Sequence, residues 1–355
     1  MPSSARPRPR VTAIVVTFEG RHLVRDCLTS LSSAVSERHA MDVLVIDNNS
    51  SDGTPDLVSS HFPGLRLIRM ESNLGYGAAC NLAAAASTSE YIAVVNQDVV
   101  SIPNWLDILI DALDGNCEAG LATPKILIRS NPALINTCGN AAHYTGVTRC
   151  RGFLRAATEY GLPEEVVAVS GAAFVIRRAV FNALGGFDPS FFLYFEDTDL
   201  SLRARLAGYR CLYVPQATVF HEFTPRFSPQ KVFLLEKNRY ATWLKLFRWR
   251  SLILLSPALL LTDLATWGYC LFSGTNYLAA KARSWLDLLK DLPEILRHRR
   301  QTQLLRRAKD CELLRACTSR LELDELEHIA VTFLQPALNV VYEWWHRRLL
   351  ELVRW

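Results

Sequence analysis

Between residues 11 and 95 the chain alternates β-branched runs with helix-like segments, and this rhythm restricts the fold more than any other feature. The runs are Val11–Thr17 and residues 43–46, 65–69 and 91–95; helix-like stretches lie at 21–36, from Pro55 onward, and across the Ala-rich segment after Asn81. Short, nearly continuous apolar runs spaced by helices predict a parallel sheet covered on both faces. Thr54 is placed as an N-cap, with Pro55 in the first helical turn.

After about residue 115 the rhythm changes. Short strand-like pieces and Gly/Asn/Pro turns over 116–170 predict mixed or antiparallel pairing, followed by a strand at 170–176. Leu200, Leu202 and Leu206 mark a helix over 197–207 stopped by Gly208, and two strand pieces follow at 210–214 and 217–220. Beyond Pro229 the chain is helical and increasingly apolar. From 251 to 280 the only charge is Asp263, and about 20 apolar residues suffice to cross a bilayer. Basic residues flank that stretch on both sides (Arg248 and Arg250; Lys281 and Arg283), and one crossing would carry the basic 297–309 cluster out of the cytoplasm. A helical hairpin lying in the membrane plane or re-entering it satisfies these charges. Trp344, Trp345 and Trp355 beside Arg347, Arg348 and Arg354 suit an interfacial helix. The alternative is a soluble helical tail with one very apolar core helix. The expected organisation is a disordered start (1–10), an α/β unit (11–240, divided near 115) and a helical, membrane-associated tail (241–355).

With 39 basic and 35 acidic residues, net +4, the charge is too mild for a nucleic-acid binder. Nine cysteines are scattered without a Cys-x-x-Cys pair, which argues against zinc and for reduced thiols in a cytoplasmic protein. The first ten residues lack the apolar core of a signal peptide, so export is not expected.

Three of the apolar runs end in oxygen-bearing side chains: Asp47-Asn48-Asn49, Asn96-Gln97-Asp98, and Glu196-Asp197-Thr198-Asp199 after Phe191-Phe-Leu-Tyr-Phe195. Ligands of open α/β sheets sit beyond the carboxyl ends of the strands. Oxygen-rich ends suit a hard divalent cation on a phosphorylated ligand, leaving another carboxylate as a base. Asp47 and its neighbours either read a nucleoside or merely cap a turn. Asp98 is a cation ligand or an N-cap. The three carboxylates in 196–199 raise one another's pKa, which can poise one as a base, while Asp199 at the helix start is explained by the dipole alone. The aromatics before them line a dry pocket or fill a core. His221 is a structural histidine by itself and a credible ligand beside a metal-diphosphate site. Gly75-Tyr76-Gly77 falls too late for a dinucleotide fingerprint and is read as a donor-contacting loop allowing close backbone approach.

Taken in order, Val15-Val-Thr17-Phe, Val45-Ile-Asp47-Asn-Asn-Ser-Ser-Asp52-Gly53, Asn73-Leu-Gly75-Tyr-Gly77, Asn96-Gln-Asp98 and Phe192-Leu-Tyr-Phe-Glu196-Asp197-Thr-Asp199 resemble family 2 glycosyltransferases, most closely the bacterial rhamnosyltransferase-like branch. The resemblance covers about residues 11–240. It implies a GT-A fold, a Rossmann-like mixed sheet with helices on both faces, and an inverting transfer from a nucleotide-diphosphate sugar, dTDP-rhamnose being one example, to a glycan or glycolipid hydroxyl. It further implies that Thr17, Phe18, Glu19, Asp47, Asn49, Asn73, Asn81, Asn96 and Gln97 lie around the donor. Asp98 and His221 would hold Mg2+ or Mn2+, Asp197 would be the base with Glu196 competing, and residues 171–177 would line the acceptor side. The implied location is the cytoplasmic face of the bacterial inner membrane. Asn96 departs from the family pattern, which has a second acid in the metal motif. That departure leaves metal dependence open and keeps a non-catalytic nucleotide-sugar-binding subunit as the competing reading. A sugar nucleotidyltransferase ranks lower, because no Gly-rich phosphate loop with Arg and Lys follows the first strand.

Overall fold

The structure is a computed structural model, described here for residues 10–34, 38–223, 227–322 and 329–355. The expected disordered start therefore lies almost wholly outside the described residues, as do the last residues of the helix expected over 21–36.

The first half runs β1 (Val11–Thr17), α1 (Val24–Ser33), β2 (Met41–Asp47), α2 (Thr54–His61), β3 (Arg66–Arg69), α3 (Tyr76–Ala85), β4 (Tyr91–Asn96), β5 (Val99–Ser101) and α4 (Trp105–Asp114). The second half adds β6 (Ala119–Ile128), β7 (Asn131–Thr137), β8 (Asn140–Ala142), β9 (Thr148–Cys150), β10 (Glu164–Val166), β11 (Ala173–Arg177), α5 (Arg178–Ala183), α6 (Glu196–Leu206) and β12 (Arg210–His221). Six helices follow: α7 (Pro229–Leu246), α8 (Trp249–Ser273), α9 (Thr275–Lys290), α10 (Leu292–Leu304), α11 (Asp310–Ala316) and α12 (Ile329–Leu352).

One mixed sheet has the order β10-β12-β6-β11-β4-β1-β2-β3, with β5 on β12 and β7 on β6. The strands β4, β1, β2 and β3 are parallel, as the alternation predicts, and β11 then pairs antiparallel with both β4 and β6. Alternate residues of one strand feed two cores, because side chains along a strand point to opposite faces. Val11, Ala13 and Val15 of β1 join α1, α2 and α4 on one face, whereas Ile14 and Val16 join α3 and α6 on the other. The pieces expected at 210–214 and 217–220 are one strand, β12, whose pairing with β6 shifts register between Val214 and Thr218. Helix α2 begins one residue earlier than placed from the sequence, at Thr54. Gly53, at φ 83°, is its N-cap, and Asp52 Oδ1 accepts from the Thr54 N–H at 2.9 Å.

A third core joins Phe191, Phe195, Leu202 and Leu206 to Trp243, Leu255, Leu288, Leu314 and Tyr342. The C-terminal helices are thus sutured to the sheet unit rather than tethered to it. Helices α8 and α9 form a hairpin about Gly274 (φ 114°). By length and composition α8 is apolar enough to cross a membrane, yet its Asp263 pairs with the buried Lys281 of α9 at 2.6 Å. None of the nine cysteines forms a disulfide.

Candidate active site

The ends of β1 and β2 lie in register, Thr17 opposite Asp47. The Thr17 hydroxyl donates to Asp47 Oδ1 at 3.1 Å and the Ser50 N–H to Oδ2 at 3.0 Å, so both oxygens of this buried carboxylate hold the turn. Asn49 follows in the left-handed region (φ 69°), exposed. Glu19 Oε1 accepts from the N–H and the hydroxyl of Ser51 (2.8 and 2.9 Å). Gln97 pairs with the Phe18 backbone in both directions, 3.1 Å each way. That pairing requires Gly20, since a Cβ there would sit 1.9 Å from Gln97 Oε1. Asn48, buried, donates to Asn73 Oδ1 at 2.8 Å and accepts from the Leu74 N–H at 3.0 Å, fixing the second loop against the first. Thr17, Phe18, Glu19, Asp47, Asn73 and Gln97 are therefore linked in one loop cluster at the strand ends. Asn81 is not part of it: its amide pairs with the N–H and the carbonyl of Phe187, at 2.9 Å each. Nor do Gly75 and Gly77 open toward a ligand. A Cβ on Gly75 would meet the Phe192 carbonyl at 2.4 Å and one on Gly77 the Phe187 Cβ at 2.9 Å, so the close approach is to the protein's own 187–192 segment.

Asp98, at the turn after β4, faces His221 at the end of β12, because β5 carries Val99 onto His221 in the ladder. His221 Nε2 lies 3.2 Å from Asp98 Oδ1, but off the alignment of a hydrogen bond, and Oδ1 is buried without a partner. His221 Nδ1 is 2.9 Å from Asn136 Oδ1. With that oxygen accepting, Nε2 carries the lone pair, the arrangement by which neighbouring groups orient a ligating histidine. A carboxylate oxygen and an imidazole nitrogen so disposed would suit part of the oxygen- and nitrogen-donor set of a divalent cation. Among the described residues no third acid, His or Cys joins them.

Glu196 and Asp197 open α6 behind two consecutive left-handed residues, Tyr194 (φ 64°) and Phe195 (φ 76°). Asn238 of α7 holds that turn, its Nδ2 donating to the Leu193 and Tyr194 carbonyls at 3.2 and 2.8 Å. The two carboxylates differ. Asp197, partly open to the cleft, accepts from the Gly171 N–H (2.6 Å), Asn140 Nδ2 (2.8 Å), the Thr198 N–H (2.6 Å) and the Thr198 hydroxyl (3.2 Å). Burial pushes Asp197 upward against these bonds, which favour its charged form. Glu196 is buried with Oε2 unpartnered, and burial followed by the neighbouring Asp197 charge pushes it up to about 8. Of the two, Asp197 with its four donors is the better placed to carry the charge and Glu196 the proton. Asp199 belongs to neither role: it is fully buried against Arg203 and Lys245, 2.7 Å each. Of the preceding aromatics, Phe191 fills the third core, Tyr194 lines the cleft, and Phe195 does both.

Asn96, Glu196, Asp197 and His221 line one cleft, and His221 also lines the adjoining hollow that contains Asp98. Of the acceptor-side segment, only Gly171 and Ala172 border the cleft; Arg177 sits at the far end of β11, bonded to Leu113, Ala119 and Tyr91. Sequence reasoning quotes Asn48 and Tyr76 within motifs without giving either a role of its own, and misses Asn136 and Asn140. The one local signal was Gly139-Asn140, where Gly139 (φ 87°) turns the chain so that Asn140 reaches Asp197.

The Glycosyl transferase family 2 model matches residues 12–185 and the Glycosyl transferase family group 2 model residues 117–286. The N-acetylglucosaminyl-diphospho-decaprenol L-rhamnosyltransferase of Mycobacterium tuberculosis is 35% identical over 231 residues, 59% of this chain and 74% of the relative. The chain belongs to glycosyltransferase family 2. Solved structures place this glycosyltransferase among GT-A folds. The mannosyltransferase PcManGT of Pyrobaculum calidifontis, in complex with GDP-Man and Mn2+, aligns over 97% of this chain and 86% of its own at TM-score 0.50 and 17% identity. GalNAc-T7, with UDP, GalNAc and Mn2+, aligns over 67% of this chain and 48% of its own at TM-score 0.54 and 17% identity.

Proposed function

We propose that this family 2 glycosyltransferase moves a sugar, L-rhamnose by its likeness to the mycobacterial relative, from a nucleoside diphosphate to a hydroxyl of a lipid-linked or cell-surface glycan, with inversion. One observation carries the reading: an anchored carboxyl at the head of α6 (Asp197) and an acid–imidazole pair at the ends of β4 and β12 (Asp98, His221) face adjoining parts of one cleft. In this reading the loop cluster of Thr17, Phe18, Glu19, Asp47, Asn49, Asn73 and Gln97 holds the nucleoside. Asp98 and His221 would hold Mg2+ or Mn2+, and a bound cation would offset charge developing on the leaving diphosphate. The acceptor oxygen attacks the anomeric carbon as the bond to the diphosphate breaks, the electron pair leaves with the diphosphate, and Asp197 takes the hydroxyl proton. The four hydrogen bonds keep Asp197 ionised and aimed; the protonated Glu196 keeps a second charge out of the site. Residues 11–240 carry the chemistry and 241–355 face the membrane. The exposed α8 stripe of Ile253, Leu260, Leu264 and Leu271, with Trp249 and Trp344, supports peripheral attachment at the cytoplasmic face of the inner membrane.

The test is Asp197→Asn beside Glu196→Gln. The first lowers transfer by roughly two or more orders of magnitude with donor binding retained, and the second keeps far more activity. Normal turnover of Asp197→Asn would refute the assignment.

A further inference from the structure

Beside the catalytic cleft lies a second cavity, between α7 and α8, that the transfer chemistry leaves unused. Val232 and Leu235 of α7, Ala265 and Tyr269 of α8, Phe195 and Phe227 give it apolar walls, and at about 120 Å³ it is narrow. It is continuous with the site, for Thr148, Arg149, Phe195, Phe227 and Leu235 line both. The charges on its wall are spent: Glu236 pairs with Arg239 at 2.7 Å and with the buried Lys281, which also holds Asp263. A polar ligand would find little to bond there.

At the junction the chemistry changes. Arg149 of β9 lies on the border, its terminal nitrogen 2.7 Å from Glu322 and its Nε buried without a partner. Lys231 lies on the cleft wall, its Nζ over the rings of Tyr194 and Phe227. Cations at the mouth and hydrocarbon behind suit an anionic head on an apolar chain. Helix α8 presents one apolar face to this cavity and another, Ile253, Leu260, Leu264 and Leu271, to the exterior.

We propose that this cavity receives the first segment of the hydrocarbon tail of a polyisoprenyl-diphosphate-linked acceptor, with Arg149 at its diphosphate. The inference rests on the lipid-linked acceptor reading above. It makes α8 the wall along which the tail leaves the bilayer, so that the sugar hydroxyl arrives at Asp197 while the distal tail stays in lipid.

The experiment compares two acceptors, N-acetylglucosaminyl diphosphate carrying a decaprenyl tail and the same head capped with methyl. Filling the cavity by Ala265→Phe, or from the opposite wall by Val232→Phe, lowers kcat/KM for the decaprenyl acceptor about tenfold, the equivalent of losing a few buried methylenes. Donor KM and transfer to the methyl-capped acceptor stay unchanged. Equal losses on both acceptors, or no loss on either, overturn the proposal. Because a filled variant can misfold, wild-type enzyme is also photolabelled with a prenyl diphosphate carrying a diazirine on its first isoprene unit. Labelling of peptides 229–246 and 249–273 is expected, and labelling elsewhere refutes the site. Wild-type enzyme that glycosylates free glycans and no lipid-linked sugar removes the acceptor reading itself. Use of the decaprenyl acceptor by wild type, with both filled variants equally active on it, removes only the tail site.

Discussion

Two neighbouring carboxylates at the head of α6 are made different by what surrounds them. Asp197 meets four donors, whereas Glu196 meets none at Oε2. In a buried site that difference decides which carboxyl keeps the proton, because each donor favours the charged form and desolvation opposes it. The same reasoning applies to Asp98, whose orphaned Oδ1 beside His221 has the chemistry of a cation ligand. Asp98→Asn weakens that donor set. Calorimetric titration of nucleoside diphosphate with Mn2+ is expected to show about tenfold or more loss of metal-dependent affinity, with metal-free nucleotide binding little changed. Equal metal enhancement in the variant would move the cation elsewhere. Neither carboxylate's environment was legible from its own motif. Two of the four donors to Asp197 come from Gly171 and Asn140, 26 and 57 positions away, and only the Thr198 pair lies within the motif.

At the scale of elements, the site depends on how α6 is launched. Two left-handed, non-glycine residues in succession are costly, at about 1–3 kcal/mol each, and persist only where neighbours over-determine them. Asn238 is that neighbour, reaching from α7 to both carbonyls of the turn while itself 1% exposed. Asn238→Ala strands those carbonyls and loosens the turn. The expected result is a loss of about 1–3 kcal/mol in denaturant unfolding, with kcat falling more than donor affinity, since the turn aims Asp197, the proposed base, and not the loops proposed to hold the nucleoside. Unchanged kcat in a folded Asn238→Ala protein would show that the turn does not aim the base. Elements were the level the sequence conveyed best. The parallel strands β1 to β4 follow from apolar runs separated by helical spacing, and β12 was misread as two pieces because Pro215 and the register shift near it imitate a break.

Across the whole molecule, the C-terminal helices are locked to the sheet unit by buried charge. Lys245 of α7 bridges Asp188 and Asp199, and His298 of α10 adds a contact to Asp188 at 3.2 Å. The Asp188 hydrogen bond raises the His298 pKa above its ordinary value, while burial lowers it in part. A histidine raised on folding stabilises most below its unfolded pKa of about 6.5, and that contribution disappears as pH rises through the folded value. The unfolding free energy of wild type minus that of His298→Ala is therefore expected to be about 1–2 kcal/mol at pH 6 and to shrink toward pH 9. A difference that grows with pH would contradict the linkage. The sequence by itself determined the parallel α/β start, the family and the oxygen-bearing ends of β2 and β4, because strand periodicity and local motifs are written over short spans; the run over 191–195, expected to be strand-like, is instead the turn that launches α6. Only the tertiary structure decided which of those oxygens are spent on turns, which carboxyl keeps its charge, and that an apolar cavity adjoins the cleft. Those outcomes depend on donors and walls brought together from segments tens to more than a hundred positions apart, and desolvation exists only once such segments have packed.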